Sequence, residues 1–320
     1  MDTPRTLFMG TPAFALSSLE GLVREGYPVI GCVTQPDRPQ GHGKIVAPPP
    51  VKVLAQKLGI PVFQPERVRS EESLATFRDM APELVVLSAF GQLLPPEIIH
   101  AHRLGCLNIH PSLLPRYRGA APLRWALIQG EEKTGVTIMQ MDEGLDSGAI
   151  LLQQETLIGP EETYGELHDR LAKTGADLLL TALAMLRDAT LLPRPQDPRL
   201  VTLAPRLSHE DSQIRWDADP RRIVSLIRGL SPEPCAVTML AGKRLKVFQA
   251  AAEPEAAAEP PGTVTETTAR GLRVAALGGY VLLQEVQMEG KKRLPAADFL
   301  RGVHIAPGTV LGQPGQKGAP

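Results

Sequence analysis

Over the first half of the chain, short apolar runs alternate with stretches in which apolar residues recur every three or four positions. The runs are typical of buried β-strands, and the amphipathic stretches are typical of helices that cover a sheet. The predicted strands are 7–9, 29–33, 84–87, 107–109, 137–141 and 149–153. This alternation predicts an α/β fold with a Rossmann-like N-terminal domain and a mostly parallel sheet.

The second half of the chain has a different pattern. A helix is predicted to begin at Thr163, where Thr163 and Glu166 form a capping-box pattern, and a proline-rich stretch at 193–205 follows it. The strand candidates beyond are short and separated by Gly and Pro, which predicts a small β-barrel, with 251–261 as a surface loop. We therefore expect domains at 1–190 and 208–314, a linker at 191–207 and a tail at 315–320.

The net charge and the cysteine content show which classes of protein the sequence does not favour. The chain has 320 residues and a net charge of −1, so the whole molecule gives no sign of a polyanionic partner, although a local basic patch is compatible with it. Cys32, Cys106 and Cys235 are few and far apart, which indicates buried reduced thiols rather than a disulfide framework or a metal site.

Membrane and nicotinamide-dependent functions find no support in the sequence. No apolar run approaches the roughly 18 residues of a membrane span, and the first residues lack a signal-peptide pattern, so we expect a cytoplasmic protein. The first predicted strand ends in Gly10-Thr11-Pro12 rather than in a Gly-x-Gly-x-x-Gly fingerprint, so no nicotinamide cofactor is expected.

Asn108 and His110 are the first candidate catalytic residues. They lie two positions apart at the end of a predicted strand, so both side chains leave the same face. Ligands of open parallel sheets bind at the carboxyl ends of the strands. There an amide can stabilise an oxyanion, and an imidazole can transfer a proton near neutral pH. The pair could equally cap the strand and fix the proline-rich loop after it.

A predicted turn carries two acidic candidates, Asp142 and Asp146. Asp and Gly are preferred in turns, and for Asp142 we favour that structural interpretation. A carboxylate at Asp146 could pair with His110, stabilise its cation and fix its orientation. The sequence does not show that the two side chains are close.

The segment 34–50 is long, rich in Gly and Pro, and carries Arg38, His42 and Lys44. Long ordered loops in compact domains are often functional, and cations on them can contact phosphates. From these residues alone, an exposed insertion is the default interpretation.

Two segments resemble the signature of folate-dependent formyltransferases. Residues 108–119 contain an Asn-x-His pair and a Ser-Leu-Leu-Pro run, and residues 137–148 are similar to the segment that bears the family's catalytic aspartate. Three further features narrow the resemblance to methionyl-tRNA formyltransferases: the turn at 10–14, the insertion that opens with 34–39, and the second half of the chain. The resemblance covers nearly the whole chain and implies that the C-terminal barrel is OB-like.

This resemblance implies that a monomeric enzyme without a metal transfers the formyl group of 10-formyltetrahydrofolate to the amino group of methionyl initiator tRNA. Asn108 and His110 would hold the oxyanion, while Asp146 would pair with His110 and help to remove the amine proton. The implied folate-binding residues are Ser112, Leu113, Leu114, Pro115, Phe90 and Gly91. The implied tRNA-binding residues are Arg38, His42 and Lys44.

Two segments depart from the family pattern. Residues 41–45 read Gly-His-Gly-Lys-Ile where the family typically has Gly-Arg-Gly-Lys-Lys, and residues 231–234 read Ser-Pro-Glu-Pro where it has Asn-Pro-Trp-Pro. Histidine is only partly charged at neutral pH, and a platform aromatic is lost. We therefore expect weaker tRNA binding with unchanged chemistry.

Two alternative functions fit the sequence less well. A formyltransferase acting on a small amino-sugar nucleotide would keep Asn108, His110 and Asp146 but would need neither the insertion nor the barrel. A catalytically idle folate- or RNA-binding protein would have no reason to keep all three residues.

Overall fold

The computed structural model describes residues 3–40 and 45–312, which fold into two compact units. Neither unit is a single stretch of sequence. The first comprises the chain up to Pro122, Lys133–Leu157 and His168–Ala204, and the second comprises Leu123–Glu132, Ile158–Leu167 and the chain from Pro205 on. The domain division at 190 and 207 stays a prediction, and the residues up to 204 group with the first unit.

From Thr6 to Arg187 strands alternate with helices, as the hydrophobic pattern predicts for most of these elements. The strands are β1 (Thr6–Gly10), β2 (Val29–Val33), β3 (Arg38–Gln40), β4 (Ile45–Ala47), β5 (Val62–Phe63), β6 (Leu84–Ser88), β7 (Cys106–His110), β8 (Lys133–Gln140) and β9 (Ile150–Leu157). The helices are α1 (Leu16–Arg24), α2 (Pro50–Lys57), α3 (Glu71–Met80), α4 (Pro96–Ile99), α5 (Pro122–Ile128) and α6 (Tyr164–Arg187). Short 3₁₀ helices occupy Ala13–Ala15, Pro198–Leu200 and Glu210–Ser212.

Seven strands form one sheet in the order β5-β2-β1-β6-β7-β8-β9. The strands from β5 to β7 pair in parallel, whereas β8 and β9 join antiparallel. This sheet confirms the Rossmann-like, mostly parallel prediction. Because β1, β6 and β7 run in the same direction, their carboxyl ends share one edge, and the chain order reverses between β1 and β6. Ligands of open α/β sheets bind at such an edge.

Fully buried strands and capped helices explain why this sequence forms these elements. All five residues of β1 and of β6 are buried, which is typical of strands covered on both faces. The capping box predicted for α6 is present. The Thr163 backbone N–H donates to Glu166 Oε2 at 2.8 Å, and the Glu166 N–H donates to Thr163 Oγ1 at 3.5 Å. Two donors at the start of the helix are thereby satisfied.

The second unit is built on an antiparallel sheet, which confirms the fold class predicted for this half. Its elements are α7 (Pro220–Leu230), β10 (Ala236–Leu240), β11 (Lys243–Glu253), β12 (Val264–Thr268), β13 (Gly271–Ala276), β14 (Gly279–Met288), β15 (Leu294–Pro295) and α8 (Ala296–Gly302). The strand order is β10-β11-β14-β13-β12, and β15 pairs with β14. The surface loop predicted at 251–261 is wrong for its first residues. β11 continues through Glu253, whose carboxylate binds Arg273 Nε at 2.7 Å.

The three cysteines are free and buried, as the sequence predicts. Burial raises the pKa of the Cys32 thiol to about 12 and that of Cys235 to about 11, so both stay protonated and unreactive at neutral pH. Of the helices within the described ranges, none combines the length and apolar character that a membrane span requires.

Candidate active site

Strand β7 presents Asn108 and His110 at the carboxyl edge of the sheet. Its register on β8, with Asn108 opposite Met139 and His110 opposite Thr137, fixes both side chains on one face. The His110 side chain is only 5% exposed, so it is held among protein atoms rather than in solvent.

The turn between β8 and β9 carries Asp142 and Asp146. Asp142 Oδ1 accepts hydrogen bonds from the Gly144 N–H at 3.1 Å and the Ser147 hydroxyl at 2.8 Å, which confirms its interpretation as a turn residue. A Cβ at Gly148 would lie 1.9 Å from the Gln140 carbonyl oxygen, so the turn closes only with glycine there. Asp146 adopts a left-handed backbone with φ +46°.

The structure brings Asn108, His110 and Asp146 together. Asp146 Oδ1 accepts a weak hydrogen bond from Asn108 Nδ2 at 3.5 Å. Asp146 Oδ2 lies 3.7 Å from His110 Nδ1 and accepts a hydrogen bond from the Gly119 N–H at 2.9 Å. One partly buried carboxylate is therefore faced by an amide, an imidazole and a backbone donor.

The other ring nitrogen of His110 fixes the orientation of the imidazole. His110 Nε2 lies 2.9 Å from the Tyr117 carbonyl oxygen. A carbonyl oxygen only accepts hydrogen bonds, so Nε2 carries a proton and Nδ1 faces Asp146. Nδ1 is therefore the nitrogen that can exchange a proton within the site.

The residues expected to line a folate site divide into buried and accessible members. Ser112 and Leu114 are only 1% and 3% exposed. The Ser112 hydroxyl donates to the Arg116 carbonyl oxygen at 2.6 Å, and the Leu114 carbonyl oxygen accepts from Gln153 Nε2 at 2.8 Å. These two residues build the loop, whereas Leu113 and Pro115 are half-buried and retain surface for a ligand.

Phe90 and Gly91 follow β6 at the point where the chain order reverses. The Phe90 ring is 3% exposed and belongs to the hydrophobic core. Its carbonyl oxygen accepts from Thr11 Oγ1 at 2.8 Å and from Gln35 Nε2 at 3.3 Å. Gly91, with φ +92°, is exposed beside it. Phe90 therefore positions this turn, and the exposed backbone belongs to Gly91.

Arg38 lies exposed on β3, which pairs with β4. The preceding residue is anchored, because Lys52 Nζ binds the Asp37 carboxylate at 2.7 Å and Gln64 Nε2 donates to it at 2.7 Å. The hydrogen bond from Gln64, and after it the one from Lys52, holds the pKa of Asp37 below its usual range. His42 and Lys44 lie outside the described residues.

Several residues that build the site were not predicted from the sequence. Thr137 Oγ1 donates to the Ser112 carbonyl oxygen at 2.6 Å, and Gln196 Nε2 donates to the Asp146 carbonyl oxygen at 2.8 Å. No local pattern marks either contact, because each joins segments that are distant along the chain. Among the residues that the structure describes, no three His, Cys, Asp or Glu side chains are arranged to hold a metal ion.

Two family models give the class of protein: "Formyl transferase" matches residues 5–183, and "Formyl transferase, C-terminal domain" matches residues 206–304. The chain therefore belongs to the class of formyl transferases. A methionyl-tRNA formyltransferase from Syntrophus aciditrophicus is 55% identical over 96% of this chain and 98% of its own length. The chain belongs to the methionyl-tRNA formyltransferase family.

Solved structures share the fold at low sequence identity. HypX from Aquifex aeolicus, solved in complex with tetrahydrofolic acid, has a TM-score of 0.62 and 18% identity, covering 93% of this chain and 47% of HypX. WlaRD, a sugar 3N-formyl transferase, has a TM-score of 0.67 and 16% identity, covering 91% of this chain and 100% of its own. At these identities the likeness concerns the fold alone.

Proposed function

We propose that the protein transfers the formyl group of 10-formyltetrahydrofolate to the free amino group of methionyl initiator tRNA, giving formylmethionyl-tRNA for translation initiation. The observation that carries this proposal is the convergence of Asn108 and His110 on Asp146, at 3.5 and 3.7 Å, at the carboxyl edge of the sheet. Membership of the methionyl-tRNA formyltransferase family supports the choice of acceptor.

The reaction is a group transfer without oxidation or reduction. The amine lone pair of the methionyl ester forms a bond to the formyl carbon, and the bond between that carbon and N10 of the folate breaks. The amine gives up a proton, and N10 of the departing tetrahydrofolate gains one. The folate is a substrate of this reaction and is consumed in each turnover.

Asn108, His110 and Asp146 supply the groups that this transfer needs. The Asn108 amide is only weakly engaged, at 3.5 Å from Asp146, so it can donate to the oxygen that becomes negative during the attack. His110 Nδ1, 3.7 Å from Asp146, donates to the same oxygen when protonated, and the carboxylate stabilises that cation. Asp146 takes the amine proton, directly or through a water molecule.

The surface around these residues suggests where the two substrates bind. Leu113, Pro115 and the exposed backbone of Gly91 are accessible at the carboxyl edge, and we assign them to the folate. Arg38 is an exposed cation, and we assign it, with His42 and Lys44, to the phosphates of the tRNA.

The proposal is tested by incubating the protein with radiolabelled 10-formyltetrahydrofolate and methionyl initiator tRNA. We expect label in the methionyl ester and none in uncharged tRNA, glycinamide ribonucleotide or an amino-sugar nucleotide. A matched pair of variants locates the chemistry: Asp146→Asn should abolish most of the transfer, whereas Asp142→Asn, in the same turn, should retain it. If label appeared only in the amino-sugar nucleotide, that compound would take the place of methionyl-tRNA as the acceptor.

A further inference from the structure

The segment 194–204 is attached to the first unit at two places. Arg194 and Ile150, the first residue of β9, exchange two backbone hydrogen bonds of 2.8 Å. Further on, the Arg118 N–H donates to the Thr202 carbonyl oxygen at 2.9 Å, and the Ala204 N–H donates to the Arg118 carbonyl oxygen at 2.7 Å. The proline-rich stretch therefore connects the start of β9 with the loop that follows β7.

Gln196 lies between these two attachments, and both ends of its amide are engaged. Nε2 donates to the carbonyl oxygens of Asp146 and Gly148, each at 2.8 Å. Oε1 accepts from Arg118 Nε at 3.0 Å and from Arg118 Nη2 at 2.7 Å. A single side chain thus joins the turn that carries Asp146 to the loop whose Gly119 N–H donates to the Asp146 carboxylate at 2.9 Å.

The backbone of Asp146 needs such a restraint. Its φ of +46° lies in the left-handed region, which a non-glycine residue keeps only when its surroundings hold it there. Gln196 binds the carbonyl group of Asp146 itself and that of Gly148 two residues later. Without these bonds the turn can relax to a right-handed backbone, which would move the carboxylate away from Asn108 and His110.

We infer that Gln196 is a positioning residue for formyl transfer, holding the Asp146 carboxylate toward Asn108 and His110 while Arg118 orients the amide of Gln196. This inference rests on the proposed function. The chemistry favours glutamine at this position. One end of the side chain must donate to two carbonyl oxygens, and the other must accept from a guanidinium group.

Two substitutions separate these requirements. Gln196→Glu keeps the length and the acceptor for Arg118, but it places a carboxylate oxygen against two carbonyl oxygens. Gln196→Met keeps the approximate volume and removes all the hydrogen bonds. Arg199→Ala is the matched control, because the exposed Arg199 lies in the same segment and binds the half-buried Asp197 carboxylate at 2.7 Å.

The experiment measures kcat and both KM values for formylation of methionyl-tRNA. We expect each Gln196 variant to lower kcat by roughly 10- to 100-fold, the range that a small misplacement of a catalytic group causes. The KM values should be unchanged, and Arg199→Ala should match the wild type. Folate binding, measured by fluorescence, serves as the check that each variant is folded.

The same substitutions are then made in the Asp146→Asn background under single-turnover conditions. If Gln196 acts through the carboxylate of Asp146, its loss should not lower the rate further, since that carboxylate is already absent. An equal proportional loss in both backgrounds would overturn the inference, as would an unchanged kcat in the wild-type background. A wild type that formylates methionyl-tRNA, with Gln196 variants equally active, would refute this inference and leave the proposed function intact.

Discussion

At the scale of single residues, three side chains and one backbone N–H carry the proposed chemistry. The Asp146 carboxylate accepts hydrogen bonds from Asn108 Nδ2 at 3.5 Å and from the Gly119 N–H at 2.9 Å. Its Oδ2 lies 3.7 Å from His110 Nδ1. The two side-chain distances are long for hydrogen bonds, so neither side chain is committed to the carboxylate. Both are therefore available to a substrate oxygen that gains negative charge.

Asn108→Ala removes the amide without altering the backbone of β7. We expect the single-turnover rate of formyl transfer to fall by ~10²–10³-fold, the usual cost of one oxyanion donor, with folate binding retained. Rapid-quench kinetics with saturating enzyme would measure this rate. A variant that transfers formyl at the wild-type rate would remove Asn108 from the mechanism.

At the scale of elements, the structure shows which local sequence signals were sufficient to predict a helix or a strand. Thr163 and Glu166 form the capping box that the sequence predicts, and α6 begins at the next residue, Tyr164. Strands β3 and β4, on either side of residues 41–44 in the sequence, pair antiparallel, and Arg38 on β3 is exposed. The alternating pattern did not predict β3 and β4, because each has only three residues.

Thr163→Ala tests the cap of α6. Loss of the hydroxyl that accepts from the Glu166 N–H should lower the free energy of unfolding by about 1 kcal/mol. Thr181→Ala is the control, because Thr181 is an exposed residue in the interior of the same helix. There alanine is neutral or favourable. Urea unfolding followed by circular dichroism measures both, and equal effects would argue against a specific role for the cap.

Charges at Arg38 and His42 should govern tRNA affinity. Arg38→Ala should weaken methionyl-tRNA binding and make the negative slope of log K against log salt shallower by about 1, whereas His42→Arg should tighten binding and make that slope steeper. Filter binding at several salt concentrations measures both variants. The Kd for folate is the control and should not change. A tRNA affinity that neither substitution changes would exclude Arg38 and His42 from the tRNA site.

At the scale of the whole molecule, burial couples stability to pH. His102 Nδ1 lies 3.0 Å from the Pro82 carbonyl oxygen. Burial lowers the pKa of His102, and the bond to Pro82 opposes this effect only in part. Below pH ~6.5, the ordinary pKa of histidine, the unfolded chain binds a proton that the folded chain resists. The stabilisation is therefore present above that pH and is lost as the pH falls.

His102→Gln should flatten this dependence. The free energy of unfolding of the wild type should decline between pH 6.5 and 5 more steeply than that of the variant. The ceiling is about 1.4 kcal/mol per pH unit for one proton, and partial exposure of the ring makes the effect smaller. Urea unfolding at pH 5, 6 and 7.5 measures the two slopes, and parallel curves would show that His102 does not contribute.

The sequence by itself determined the buried strands, the start of α6, the β-rich second half of the chain and the placement of Asn108 and His110 on one face. These features follow from local periodicity and from chemistry within a few residues. Only the tertiary structure decided that Asp146 reaches that pair. The chain leaves β8 beside Cys106, since the Met141 N–H donates to the Cys106 carbonyl oxygen at 2.7 Å.

The turn that follows β8 must fold back along β7 before Asp146 can meet Asn108 and His110. The fold also decided that Gln196, in a segment that the sequence predicted as a linker, binds the Asp146 turn with two hydrogen bonds of 2.8 Å. Contacts between segments so far apart depend on sheet order and loop closure, which local residue patterns do not encode.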